Sequence, residues 1–233
     1  ARIDYFGMAR LPNFEPRRGS AIGNYSAAAA APALWFSIGP EPRVDYWLAG
    51  LADGGPPQTG FTAASLARWL ATHPGFPTFV VVRHPLERAH RAFCGAILTG
   101  RYGRIRRRLI RAFGLNLPEP ADVHLMTPAE YRAALMGFLR FWKLNLNGQT
   151  GVRIDRLWCS QAQALSGMSE LAPPSMICRA DRLQADLDHL ALTLGVAPVA
   201  LRAEAEIGPV PLAEIYDDTL EEAARSACPR DMR

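Results

Sequence analysis

The sequence predicts an α/β fold, a parallel sheet flanked by helices with a helix-rich C-terminal half, and three observations carry that expectation. Residues 78–82, Thr-Phe-Val-Val-Val, show no alternation of polar residues, so both faces should be buried, as in a central strand of a parallel sheet. Arg83-His84-Pro85 ends this run, and residues 86–98 read as a helix with Pro85 in its first turn, so strand, turn and helix make half of a βαβ unit. Downstream of it, apolar residues recur mainly at helical spacing.

Taken in order, residues 3–8 suit a short strand, and residues 34–38 form a compact apolar run closed by Gly39-Pro40, a second strand. Leu66, Trp69 and Leu70 predict a helix over 65–72, capped by Thr62 or Ser65 and stopped at Pro74. Residues 105–113 place Ile105, Leu109, Ile110 and Phe113 on one side of a helix and arginines on the other. Thr127-Pro128-Ala129-Glu130 is a helix start with Thr as N-cap, Pro at N1 and Glu at N3. A short strand over 175–178 precedes a helix from about 183 to 194 ended by Gly195, and a last helix is expected over 212–227. The connection 145–153 is the expected exposed, functional loop.

With 233 residues and ordinary apolar and charged fractions, the chain is long enough to bury one sizeable core, and a single domain is expected. A net charge of +4 is too small to demand nucleic acid but suits a small polyanion or an acidic glycan. Lys143 is the only lysine, a bias typical of a GC-rich bacterial genome. The four cysteines lack CxxC spacing and read as buried reduced thiols, with Cys228 the most exposed of them. No run nears the roughly 20 apolar residues that span a bilayer, so no integral membrane segment is expected and a cytoplasmic location is the default.

Arg83, the first residue after a buried strand, delivers its guanidinium to the carboxyl edge of the sheet, where open α/β folds bind ligands. The following helix start suits an anion, and an arginine can give a phosphate two parallel charge-assisted hydrogen bonds. Pairing of Arg83 with Glu87 or another carboxylate is the competing expectation.

The stretch Val82-Arg83-His84-Pro85-Leu86-Glu87-Arg88-Ala89-His90-Arg91-Ala92-Phe93 resembles the 3′-phosphate motif of the family 2 (carbohydrate) sulfotransferases, V-R-D-P-F-E-R-x-x-S-A-Y. His84 replaces the usual Asp and Arg91 the usual Ser. Asp155-Arg156-Leu157-Trp158-Cys159-Ser160-Gln161 is similar to the family's D-x-x-W-x-x-Q segment. Residues 176–187, ending Leu183-Gln184-Ala185-Asp186-Leu187, are similar to its E-x-L-x-x-D-L segment, and the three together span about residues 60–195. The resemblance implies a P-loop-like sheet and the co-substrate 3′-phosphoadenosine 5′-phosphosulfate. It implies sulfuryl transfer to a hydroxyl of an acidic or neutral saccharide, with Arg83, Arg88 and Arg91 at the 3′-phosphate and no metal.

The family's other half-site, P-K-x-G-x-T, needs a lysine, and Lys143 lies far downstream of the first strand. That loop is expected either upstream of Ala1 or with an arginine in the lysine's place, for which Pro16-Arg17-Arg18-Gly19-Ser20 is the local candidate against a plain basic loop. The family's base follows its second strand, where Glu41 stands; the alternative is a surface carboxylate paired with Arg43. Arg101, Arg104, Arg106, Arg107, Arg108 and Arg111 form either a track for an acidic saccharide or a solvated helix face. A non-catalytic nucleotide or glycan binder of the same fold is the main rival, and a phosphotransferase is disfavoured because no glycine-rich loop with Lys and Ser/Thr is present.

Overall fold

The computed structural model describes residues 21–22, 25–28, 31–51, 56–169, 172–205 and 207–232, so the expected strand over 3–8 and the loop Arg17, Arg18, Gly19 and Ser20 lie outside the described residues. The described chain is mixed α/β, with a four-stranded mixed sheet flanked by helices. It divides into two compact units, one built from the described residues up to Arg83 together with Gln161–Glu204, the other from His84–Ser160 and Ala205–Arg233.

The first unit carries the sheets. Strands β1 (Ala21–Ile22) and β4 (Phe61–Thr62) pair antiparallel as a small ladder. The larger sheet runs β2 (Tyr25–Ala27), β3 (Leu34–Phe36), β5 (Thr78–Val82), β6 (Met176–Arg179). β2 is antiparallel to β3, whereas β3, β5 and β6 are mutually parallel. β5 therefore lies between two parallel neighbours, as its unbroken apolar run requires. Its register sets Phe79 beside Trp35 and Met176, and Val82 beside Arg179.

Helices α1 (Pro42–Gly50) and α7 (Leu183–Leu194) contribute Val44, Trp47 and Leu48, and Leu183, Leu187 and Leu190, to one core with Trp35, Phe79 and Cys178. Trp47 meets Phe79 edge-on at 5.7 Å between ring centroids, the arrangement aromatic quadrupoles favour. Helix α1 was not expected from the sequence, where Gly39-Pro40 closes the preceding strand and no helix follows it. Pro42 instead occupies a first-turn position, which costs no hydrogen bond because that N–H has no partner in a helix. Helix α2 (Ala63–Thr72) starts with a reciprocal Thr62–Ser65 capping box. Helix α6 (Gln161–Ser169) is the other helix the sequence did not signal.

The second unit is helical. Helix α3 (Pro85–Ala92) continues as a π-helical segment, Phe93–Leu98, in place of the uninterrupted α-helix expected over 86–98. Five of these six residues are buried, all but Gly95, so packing on several sides outweighs regular hydrogen bonding. α4 (Gly103–Phe113), a 3₁₀ segment (Pro120–Leu125) and the long α5 (Pro128–Leu146) follow. The expected last helix is divided into α8 (Leu212–Ile215) and α9 (Asp218–Ala227), because Asp217 leaves helical geometry to cap Leu220 N at 2.8 Å. Tyr131, Phe138, Phe141, Trp142, Phe93 and Trp158 form this unit's aromatic core.

One expectation is corrected here and another is refined. Cys228 is buried like the other three free cysteines, since the chain end folds back, Asp231 N donating to the Cys228 carbonyl at 3.0 Å. The loop 145–153 is exposed at Asn147, Gly148, Gln149, Gly151 and Arg153, as expected, and is anchored from within. Asn145 and Thr150 are buried, and the Asn145 amide donates to Thr150 Oγ1 at 2.8 Å and accepts from Trp158 Nε1 at 2.9 Å.

At the α5 start, Thr127 Oγ1 accepts from Glu130 N at 3.3 Å and Glu130 Oε2 accepts from Thr127 N at 2.9 Å. Thr127→Ala removes half of this box and is expected to cost about 1 kcal/mol. The check is a lower urea midpoint with an unchanged m-value.

Candidate anion site

Arg83 ends the central strand, and its main chain is fixed from both sides by one side chain. Gln161 Oε1 accepts from Arg83 N at 2.9 Å, and Gln161 Nε2 donates to the Arg83 carbonyl at 2.7 Å. The buried glutamine of the second sequence motif thus supplies the ladder bonds that the strand would otherwise lose at this residue. The third motif does similar work next door, where buried Asp186 accepts from Arg179 N at 2.7 Å at the end of β6.

The Arg83 side chain is 8% exposed and holds two carboxylates. Its Nη2 donates to Glu41 Oε2, and Nη1 and Nη2 reach Glu204 at 3.2 and 2.6 Å. Arg43 completes the group, Nε donating to Glu41 Oε1 at 2.9 Å and Nη2 lying 3.1 Å from Glu204 Oε2. Among the described residues, two guanidiniums and two carboxylates therefore meet in one cluster. Glu41 sits at the N-cap position of α1, which brings it and Arg43 to the carboxyl end of the sheet, while Glu204 arrives on the coil that follows α7.

The two carboxylates differ. Glu41 is 5% exposed and Glu204 is 26% exposed. Burial alone would raise the Glu41 pKa, but the hydrogen bond from Arg43 and the charges of Arg83 and Arg43 outweigh it and hold the carboxyl below its usual range. Glu41 is thus a buried counter-ion. The expected surface pairing with Arg43 is replaced by a buried one, and a carboxylate so stabilised is a weak proton acceptor until a guanidinium leaves it.

The remaining sequence candidates lie in the other unit. Buried Arg88 spends its guanidinium on the carbonyls of Cys159 and, at 2.6 Å, Arg156, a scaffold role for the second arginine of the first motif. Arg91 is half-buried on α3. His84 is exposed, 3.4 Å from Glu221. His90 is buried, its Nε2 2.8 Å from the Tyr131 hydroxyl, which in turn lies 2.8 Å from Cys94 Sγ. Burial, aided by the Arg91 charge against a backbone hydrogen bond at Val210, brings the His90 pKa down to about 4, and burial pushes Cys94 up to about 11. Both are neutral at pH 7 and serve the packing of that unit.

Arg106 of α4 is buried on the Pro118 carbonyl, whereas Arg104, Arg107, Arg108 and Arg111 of the same helix and Arg101 before it are exposed, Arg108 donating to the Thr150 carbonyl at 2.6 Å. Sequence reasoning missed Glu204 altogether, because a lone glutamate 121 residues from its arginine leaves no local signal. No helix among the described residues is long and apolar enough to cross a membrane, and none of their His, Cys, Asp and Glu groups is placed to hold a metal ion. Compared with known proteins, the chain matches no family model, no curated protein and no solved structure.

Proposed function

We propose that the chain binds 3′-phosphoadenosine 5′-phosphosulfate and transfers its sulfuryl group to a hydroxyl of a carbohydrate or glycolipid. In that reaction the bond from sulfur to the donor's phosphate oxygen breaks and a bond to the acceptor oxygen forms. The hydroxyl proton passes to a base, and adenosine 3′,5′-bisphosphate leaves. The reading rests on the resemblance of residues 82–93 to the 3′-phosphate motif. One observation supports it most: Arg83, at the carboxyl end of the central parallel strand, stands with Arg43 on shared anionic partners, two forked donors converging where a phosphate would need them. Glu41 is the residue nearest to a base in this reading, and it becomes one only when ligand draws a guanidinium away.

A non-catalytic binder is the second reading. What favours it is that both guanidiniums are already neutralised by carboxylates and that Lys143 is the only lysine, on α5 and engaged with Ser226 at 2.6 Å. Adenosine 3′,5′-bisphosphate is expected to raise the melting temperature of the full-length gene product, since a ligand at about 100 Kd adds about 2.7 kcal/mol to the folded state. Arg83→Lys, which keeps the charge but lacks the fork, should lose most of that shift. Absence of any shift in the unaltered protein overturns donor binding. A shift without transfer of labelled sulfate to saccharide acceptors selects the non-catalytic reading.

A further inference from the structure

The coil after α7 is built as a strap with a carboxylate at its end. Gln184 fastens it, Oε1 accepting from Leu201 N at 2.7 Å and Nε2 donating to the Val199 carbonyl at 3.1 Å. Val199 lies against Gly50 of α1, where even a Cβ would approach to 3.0 Å, and the Arg202 guanidinium rests 4.6 Å from the centre of the Tyr46 ring. Two residues beyond Arg202, Glu204 meets Arg43 and Arg83 together. Beside it opens a hollow of about 370 Å³, lined among others by Arg43, Arg182, Arg202, Gln184 and Glu204.

A carboxylate that accepts from both terminal nitrogens of one guanidinium, and is ion-paired with a second at 3.1 Å, occupies the position a phosphate or sulfate ester would take on the same donors. Of the two acids that the described residues bring to the cluster, Glu204 leaves at the lower cost. It is the more exposed, it sits on coil rather than at a helix start, and the hollow gives it water to enter, whereas Glu41 released from its partners would be a buried bare charge. Exchange of Glu204 for an incoming anion keeps both guanidiniums paired throughout.

We propose that Glu204 is an internal competitor for the ligand: the hollow beside Arg43 admits a phosphate- or sulfate-bearing small molecule whose anion displaces the Glu204 carboxylate from Arg43 and Arg83. This rests on the reading of Arg83 as the donor's phosphate-binding residue and adds to it how that site is regulated. A site occupied by its own side chain binds more weakly in proportion to the fraction of time it is open.

The test is titration calorimetry of the unaltered protein, Glu204→Gln and Glu204→Ala with two probes, adenosine 3′,5′-bisphosphate and inorganic sulfate. Removing the charge is expected to tighten binding of both probes about tenfold or more, the factor by which a competitor closing the site nine-tenths of the time weakens it. Glu204→Gln, nearly isosteric, covers the case in which the alanine variant folds poorly. Equal affinities in all three proteins overturn the competitor role while leaving donor binding intact. Tighter sulfate binding in the variants with no nucleotide binding in any protein keeps the competitor role and overturns the donor reading. Binding of neither probe to any of the three overturns both.

Discussion

Trp158→Ala is expected to destabilise the second unit by about 4 kcal/mol, in the range found when a fully buried aromatic side chain is cut to alanine. Trp158 has no exposed surface and lies within 5.9 to 6.5 Å of the rings of Tyr102, Phe138 and Phe141. Its indole N–H also holds the Asn145 carbonyl oxygen, and Asn145 in turn organises the loop to Val152. The substitution therefore opens a cavity and leaves a buried amide oxygen unpaired, two costs that add. Trp158→Phe refills most of the volume but not the hydrogen bond, so it should cost less than half as much. Urea unfolding of the three proteins measures this, and equal midpoints for the alanine and phenylalanine variants would assign the loss to the hydrogen bond alone.

How far the sequence disclosed this molecule depends on how local each cause is. The interior position of β5 was legible because four consecutive apolar residues, Phe79 to Val82, show no alternation with polar ones. The end of α7 was legible because Gly195 adopts φ 69°, which a glycine accepts without strain. The Thr127 start was legible because a capping box is spelled within four residues. Helix α1 was hidden because the same prolines that break a helix also begin one, and only the buried partners of Val44, Trp47 and Leu48 decide between the two.

The anion site divides along the same line. Arg83 and Glu41 could be singled out by their places after strands, and Gln161 by its motif. That Gln161 grips the Arg83 main chain, and that Arg43 and Glu204 close the cluster, depends on chain segments brought together from 78 and 121 residues away. No spacing rule reaches across such distances. The contact that most alters the chemistry, a second carboxylate on Arg83, is therefore the one a sequence reading is least equipped to find.

Arg83→Met is expected to destabilise the first unit by about 3 kcal/mol at neutral pH, because breaking a buried ion pair from one side leaves a charge without its partner. The charge stranded is that of Glu41, since Glu204 can turn to water and Glu41 cannot. Arg43 still holds Glu41, which keeps the loss toward the lower end of the range for such pairs. The double variant Arg83→Met, Glu41→Gln leaves Arg43 and Glu204 as a balanced pair, so it should recover much of the stability lost. The pH dependence gives an independent check. In the unaltered protein the folded-state pKa of Glu41 lies below its unfolded value, so its contribution is present above the unfolded carboxylate range and is lost as pH falls through the folded value. Without Arg83, burial gains on the remaining attraction and the folded pKa moves upward, so acid should harm the variant less than the unaltered protein. The stability gap between them should narrow as pH falls from the ordinary glutamate range, about 4, toward the lowered folded value of Glu41. A gap that stays constant would mean that Arg83 stabilises the fold through packing of its side chain and not through the charge on Glu41.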